Sequence, residues 1–350
     1  MNKHHSISVI IPVYNAGSYL TQCLDALQSA RYAATEVIVV DDGSTDGCAE
    51  VHREGVEVYC LPLRSGPAAA RNFGARHAKG EILLFVDADV VVRPDTVDRV
   101  AQCLSTKPEF AAVFGSYDER PPAKGFISQY KNLQHHFVHQ HANSEAATFW
   151  SGCGGIRRDV FASVGGFNER RYRSPAIEDI ELGSRLRRAG HRILLDRELK
   201  VTHLKHWTLF TLVRADIFNR AFPWSELMIE NREVINDLNV RTKDRICAVL
   251  VGFLPLFIAL AFFHSGSLLL AASALLAICV LNRELYIFFC RQRGLTFAAG
   301  AFALHLLYYF YSGGAFSLCY VRNLIGGISE SRPVDSCSNV SESISSNGVE

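Results

Sequence analysis

Apolar and polar positions alternate along this chain in two different ways, and the change falls near residue 246. Up to about residue 205, short apolar runs are separated by stretches with helical spacing. Ile7–Val13 reads as a first strand, with Pro12 at its end stopping the ladder. Leu20, Cys23, Leu24 and Leu27 recur at helical spacing within 17–29. Residues 36–40 read as a second, β-branched strand and 56–61 as a third. Pro67–Lys79 predicts an Ala-rich helix that Gly80 stops. Ile82–Val86 is apolar throughout and bounded by polar residues, which suits a strand buried on both faces. After Pro175, Leu182 and Leu186 face inward at i, i+4 on a further helix. Strands alternating with helices imply right-handed crossovers and a mainly parallel sheet, an α/β fold.

Beyond residue 246 the pattern is apolar. Runs 246–263, 265–282 and 294–321 hold no Asp, Glu, Lys or Arg, and each has, or nearly has, the length of a membrane-crossing helix. Arg241, Lys243 and Arg245 precede the first run, and Arg283, Arg291 and Arg293 separate the second from the third. Positive-inside reasoning then puts the N-terminal domain in the cytoplasm, on a multi-pass anchor in the inner (plasma) membrane. Ser312-Gly313-Gly314 offers a point where the third run breaks into a re-entrant hairpin. The expected division is a 1–205 α/β domain, 206–245 interface and linker helices, 246–322 membrane region, and 323–350 a Ser-rich disordered tail. In the linker, Trp207, Phe210, Arg214, Phe218, Arg220, Phe222 and Trp224 suit an amphipathic helix lying on anionic lipid.

Composition narrows the chemistry. A net charge of +1 gives no argument for a nucleic-acid partner. The ten cysteines contain no Cys-x-x-Cys pair, so they read as reduced thiols of a cytosol-facing protein and not as a zinc ribbon. The N-terminus lacks the order of a signal peptide. Asp87-Ala-Asp89 ends the buried strand at 82–86, and in open α/β sheets ligands bind beyond the carboxyl ends of strands. Two hard oxygen ligands there suit Mg²⁺ or Mn²⁺, which can carry a diphosphate. A second acidic loop, Asp41–Gly47, follows the second strand. It is no EF-hand, because a strand enters it and, counted from Asp42, its twelfth position is Arg53. Two acidic strand-end loops in one sheet point to a common nucleotide pocket. His135, His136, His139 and His141 read as a solvated helix face.

Five segments in order, SVIIPVYNAG (8–17), VIVVDDGSTDG (37–47), GPAAARNFGARHAKG (66–80), LLFVDADV (83–90) and IEDIELGSRLRRAGHRI (177–193), resemble the successive motifs of family 2 glycosyltransferases. The resemblance covers roughly 6–205 and implies the GT-A fold, a Rossmann-like mixed sheet, here followed by C-terminal transmembrane helices. It implies that Pro12, Tyr14 and Asp42 surround a uracil or guanine, that Arg71 helps hold the nucleotide, and that Asp87 faces the ribose. Asp89 would ligate the metal, with His203 as a further ligand. Asp179 matches the family's base, with Glu178 as the neighbour that keeps its proton affinity up. Trp150–Gly155 corresponds to a small-residue loop that lets backbone approach the donor sugar. One base and no second covalent carboxylate imply inversion at the anomeric carbon. The expected reaction moves a sugar from a UDP- or GDP-linked donor to a membrane-proximal acceptor, a lipid carrier or lipid-linked glycan, in cell-envelope or exopolysaccharide biosynthesis. The alternatives are a processive synthase and a catalytically silent binding subunit. Arg220-Ala-Phe-Pro-Trp224 departs from the Gln-x-x-Arg-Trp motif of processive synthases, which argues against the first. The intact Asp42, Asp87, Asp89 and Asp179 argue against the second.

Overall fold

The computed structural model describes residues 5–30, 36–233, 236–238 and 240–326. An eight-stranded sheet organises the N-terminal two thirds. In chain order its strands are β1 (Ile7–Val13), β2 (Glu36–Asp41), β3 (Val56–Cys60), β4 (Ile82–Val86), β5 (Val90–Val91), β6 (Phe110–Tyr117), β7 (Cys153–Arg157) and β8 (Arg192–His203). Across the sheet they run β3-β2-β1-β4-β7-β6-β8-β5. The first four are parallel, β7 is antiparallel to both neighbours, and the sheet is therefore mixed. Strand order reverses between β1 and β4, which opens a crevice beyond their carboxyl ends.

Period-2 side-chain alternation sorts the core into two layers. Ile7, Val9, Ile11, Ile82, Leu84 and Val86 pack with α1 (Gly17–Gln28) and α3 (Thr96–Thr106) on one face. Ile10, Leu83 and Phe85 pack with α2 (Pro67–His77), α5 (Arg158–Ser163) and α6 (Glu178–Arg188) on the other. Pro12 does not stop β1, which runs on to Val13. The ladder to β4 ends at Ile10, so a residue without an N–H is tolerated at position 12. Part of the expected small-residue loop is strand: β7 begins at Cys153. A Cβ on Gly155 would sit 2.5 Å from Val100 Cγ1, so that glycine serves packing between sheet and α3.

α4 (Phe126–His141) is not the solvated helix its histidines suggest. It packs on β6, His136 and His139 are buried, and their Nδ1 atoms bond to the Tyr117 and Gly115 carbonyls at 2.7 and 2.9 Å. Residues 209–231 form one continuous helical rod: α7 (Leu209–Arg214), a π-helical stretch (Ala215–Ala221) and α8 (Phe222–Asn231). Its aromatics divide. Phe210 and Phe218 are exposed, whereas Trp224 faces the sheet domain, as does Trp207 just ahead of the rod.

Each of the three apolar runs is helical, in α9 (Thr242–Leu260), α10 (Ser267–Leu281) and α12 (Leu295–Gly326), with α11 (Arg283–Arg293) between the last two. Among the described residues only α12 is long and apolar enough to cross a bilayer by itself. α10 and α11 pass that test only as a pair, and the pair is bent by 71°. Lys243, Asp244 and Arg245 occupy the start of α9 and shorten its apolar part. The expected break at Ser312–Gly314 is absent. Gly313 instead lets α12 approach Ala248 of α9, where a Cβ would lie 3.4 Å from the alanine Cβ. Residues 323–326, expected in the tail, continue α12, and the rest of that tail lies outside the described residues.

Candidate active site

The crevice beyond β1 and β4 opens into a cavity of about 530 Å³. Pro12, Tyr14, Asp42, Arg71, Asp87, Asp89, Glu178, Asp179 and His203 all line it, so every residue nominated from the sequence reaches one site. A larger open groove, about 2010 Å³, lies beside α5 and the 164–171 loop and holds none of the nine. Volume is a poorer guide here than the convergence of carboxylates.

Local bonding explains how the loops are held. Asn15 accepts from the Thr45 N–H at 2.8 Å and donates its own N–H to Ser44 Oγ at 2.9 Å, while Asp46 accepts from the Gly17 N–H at 3.0 Å. These bonds tie the loop after β1 to the loop after β2. Asp42 accepts from the Ser65 and Gly66 N–H groups at 2.6 and 2.8 Å, fixing the entry to α2. Gly66 has φ +92, and a Cβ there would lie 2.6 Å from the Arg173 carbonyl, so the turn requires glycine. Tyr14 keeps an accessible ring, with the Arg64 guanidinium 4.0 Å from its centroid.

Arg71 is the hub of the acidic wall. From the buried face of α2 it donates to Glu178 Oε1 at 2.8 Å and to Asp87 Oδ1 at 2.7 Å. Glu178 thus enters as Arg71's partner. Asp179, one residue on in the first turn of α6, accepts from the Ser151 N–H at 3.1 Å and Ser151 Oγ at 3.3 Å. Burial raises its pKa, the charge of Glu178 raises it further, and Arg71 only partly offsets both. The result is a carboxyl pushed up to about 6 despite its place at a helix N-terminus.

Asp89 and His203 close the opposite side. His203 ends β8, whose pairing with β5 brings its Nε2 to 3.5 Å from Asp89 Oδ2. Burial pushes the Asp89 carboxyl up, but the His203 hydrogen bond and the His203 and Lys205 charges outweigh it and hold the pKa below the usual value. No cluster of three or more His, Cys, Asp or Glu ligands occurs among the described residues. A carboxylate and an imidazole facing one cavity fit a divalent ion whose other positions are filled by ligand phosphates and water.

Of the remaining wall, the sequence pointed to Trp150 alone as lying near the donor. Tyr117, at the end of β6, stacks on His203 with centroids 4.2 Å apart and lies 4.3 Å from His135 of α4. Trp150 packs edge-on against Tyr117 at 4.9 Å. Lys131, Lys205, Trp207, Arg220 and Trp224 complete the lining. Two signals were available, the histidine cluster and the Trp and Arg positions at 207–224, and they read as a solvated helix face and a lipid-facing helix.

With this geometry in hand, comparison with known proteins is informative. Residues 8–165 match the model of glycosyl transferase family 2. Glycosyltransferase GlyG of Streptococcus pneumoniae is 35% identical over 117 residues, which are 32% of this chain and 38% of GlyG. The chain spans about two fifths or less of the length of such relatives. Two solved structures share the fold. Mannosyltransferase PcManGT from Pyrobaculum calidifontis, in complex with GDP-Man and Mn²⁺, superposes with a TM-score of 0.53 at 20% identity, over 92% of this chain and 87% of that one. Staphylococcus aureus TarS 1–349, in complex with UDP-GlcNAc, superposes with a TM-score of 0.51 at 19% identity, over 89% and 92%.

Proposed function

Since residues 8–165 belong to family 2 of the glycosyltransferases and the fold is GT-A, we propose that this chain is an inverting transferase that moves a sugar from a UDP- or GDP-linked donor to an acceptor held near a membrane. The observation that carries the proposal is the gathering of all nine nominated residues around one cavity, with a carboxyl at about 6 among them.

In this reading the Tyr14 ring and Asp42 hold the base, and Asp87, oriented by Arg71, meets the ribose. Asp89 and His203 hold a divalent ion, Mg²⁺ or Mn²⁺, which when bound offsets the charge that develops on the leaving diphosphate. Asp179 takes the proton from the acceptor hydroxyl. A carboxyl near 6 is ionised at neutral pH yet basic enough to accept that proton as the bond forms. Ser151 fixes its oxygen, and Glu178 acts through Arg71 and by raising the proton affinity of Asp179. A single base leads to one displacement and an inverted anomeric centre.

The apolar helices supply the membrane attachment. The exposed stripe of α12 includes Leu307, Phe310, Leu318, Val321 and Leu324, and Phe262 and Phe263 are exposed between α9 and α10. We assign these surfaces to the inner membrane and the sheet domain to its cytoplasmic side, where Arg245, Arg283, Arg291 and Arg293 favour anionic headgroups. A lipid carrier or lipid-linked glycan in envelope or exopolysaccharide synthesis is the acceptor that this tethering favours.

The test is binding of UDP-, GDP- and TDP-sugars to detergent-purified protein with Mn²⁺, Mg²⁺ or EDTA, beside Asp89→Ala. Metal-dependent binding of one donor, lost in the variant, supports the reading. A folded protein that binds none of them contradicts it.

A further inference from the structure

The far wall of the cavity carries a charge arrangement that the proposed reaction does not use. Lys131 of α4 donates to both oxygens of Asp216 at 2.8 and 3.1 Å, and Arg220 donates to the same carboxylate at 2.6 Å. A third donor, the Tyr311 hydroxyl of α12, reaches it at 2.8 Å. Asp216 is buried behind the wall, whereas both cations line the cavity. Two cations share this one carboxylate, and among the described residues neither makes a salt bridge to any other acid.

Other features mark the same wall as incomplete. Trp207 lies near two cations, with Lys205 Nζ 4.5 Å and the Arg220 guanidinium 6.0 Å from its ring. His135 Nδ1 and the Nε1 atoms of Trp207 and Trp224 are buried without a hydrogen-bond partner. Burial lowers the Lys131 ammonium more than Asp216 raises it, and Arg220 lowers it again, so it is pushed down to about 8. An ammonium bonded to a carboxylate normally moves up; here burial is the larger effect, and the Arg220 charge adds to it.

The cation pair lines the same cavity as Asp89 and His203, on the far side of the Tyr117 and His135 rings. From Asp89 the lining runs through His203, then the Tyr117 ring, then His135, before it reaches Lys131 one helical turn away on α4. Two ring-to-ring steps of 4.2 and 4.3 Å lie between the proposed metal ligands and the cation pair. We propose that Lys131 and Arg220 form an acceptor subsite that binds a phosphate group, so that the acceptor is a phosphate-bearing molecule. This rests on the transferase reading above, and it specifies the class of acceptor. The phosphate can belong to a lipid or to a water-soluble polyol.

The experiment measures binding to the full-length chain in detergent. The probes are farnesyl phosphate and glycerol 1-phosphate, with farnesol as the uncharged control and UDP and GDP, each with Mn²⁺, on the donor side. Wild type should bind one phosphate at least about tenfold more tightly than its uncharged counterpart. Arg220→Gln and Lys131→Met should each lose that preference, Arg220→Lys should retain most of it, and nucleotide binding should stay within about twofold in all three. Farnesyl phosphate binding identifies a lipid acceptor and glycerol phosphate a soluble one. The proposal is overturned if neither phosphate is preferred, if both charge-removing variants keep the preference while folded, or if the variants lose the nucleotide instead. Nucleotide binding in wild type keeps the transferase reading standing even when the subsite fails. Arg220 has a partly exposed side chain, so Arg220→Gln provides a result should the more buried Lys131→Met not fold.

Discussion

Replacing Asp179 by Asn should make the protein more stable and inactive at once, with both effects following from the same buried charge. Asp179 has a pKa near 6 in the fold, raised by burial and by Glu178, against an ordinary value of 3.8. The fold therefore binds its proton more tightly than the unfolded chain does. Stability from this group is fully present below the unfolded value and is lost as pH rises through 6. Above pH 7, holding the carboxylate ionised costs up to about 3 kcal/mol, at about 1.4 kcal/mol per pH unit of displacement. Allowing for screening of a partly exposed side chain, about 2 kcal/mol is expected. Asn is neutral and of similar shape, and its oxygen can still accept from the Ser151 N–H. Asp179→Asn should thus melt higher than wild type at pH 8, by about 4–8 °C at roughly 2–4 °C per kcal/mol. The gap should roughly halve by pH 5 and fall to about a fifth by pH 4. Transfer should fall by about 10²–10⁴-fold, the usual contribution of a general base. Melting curves in one detergent from pH 4 to 8, with turnover at each point, supply both readings. A gap that does not change with pH, or a variant less stable at pH 8, would refute the assignment of a strained, ionised base.

Arg71→Met leaves Glu178 buried without its counter-ion and should cost about 3–5 kcal/mol, read as a lower denaturation midpoint; a loss below 1 kcal/mol would show that the pair is dispensable. The same substitution removes the charge that restrains Asp179, so the acid limb of any residual activity should move to higher pH. Gly66→Ala combines a φ of +92 with a clash against the Arg173 carbonyl and should destabilise by at least about 1–3 kcal/mol, with weaker nucleotide binding because Asp42 loses its anchor; unchanged melting and binding would contradict that role.

The strands that build the site were legible because they are buried on both faces. Ile7–Val13 and Ile82–Val86 have no polar side to display, except for Ser8, which bonds to Glu36 at 2.6 Å. The site residues were legible where they lie at strand ends, in acidic loops, or in the first turn of α6. β7 was hidden by Gly154 and Gly155, which read as loop but serve close packing against Phe149 and Val100. The wall formed by Tyr117, Lys131, His135 and Arg220 was hidden for a different reason. α4 and the π-helical stretch mix apolar and polar positions, and only tertiary packing shows which of their side chains turn inward. Likewise, hydropathy located the apolar helices but did not show that α10 and α11 bend by 71° or that α12 stays unbroken through Gly313 and Gly314.

The central claim is that this cavity turns over a nucleotide sugar. The most direct measurement is release of nucleoside diphosphate from each donor of a UDP-, GDP- and TDP-sugar panel by the purified full-length chain, with and without EDTA. The account predicts release from one donor, abolished by EDTA and by Asp89→Ala. Folded protein that releases diphosphate from none of them, with or without added membrane extract as acceptor, would contradict it.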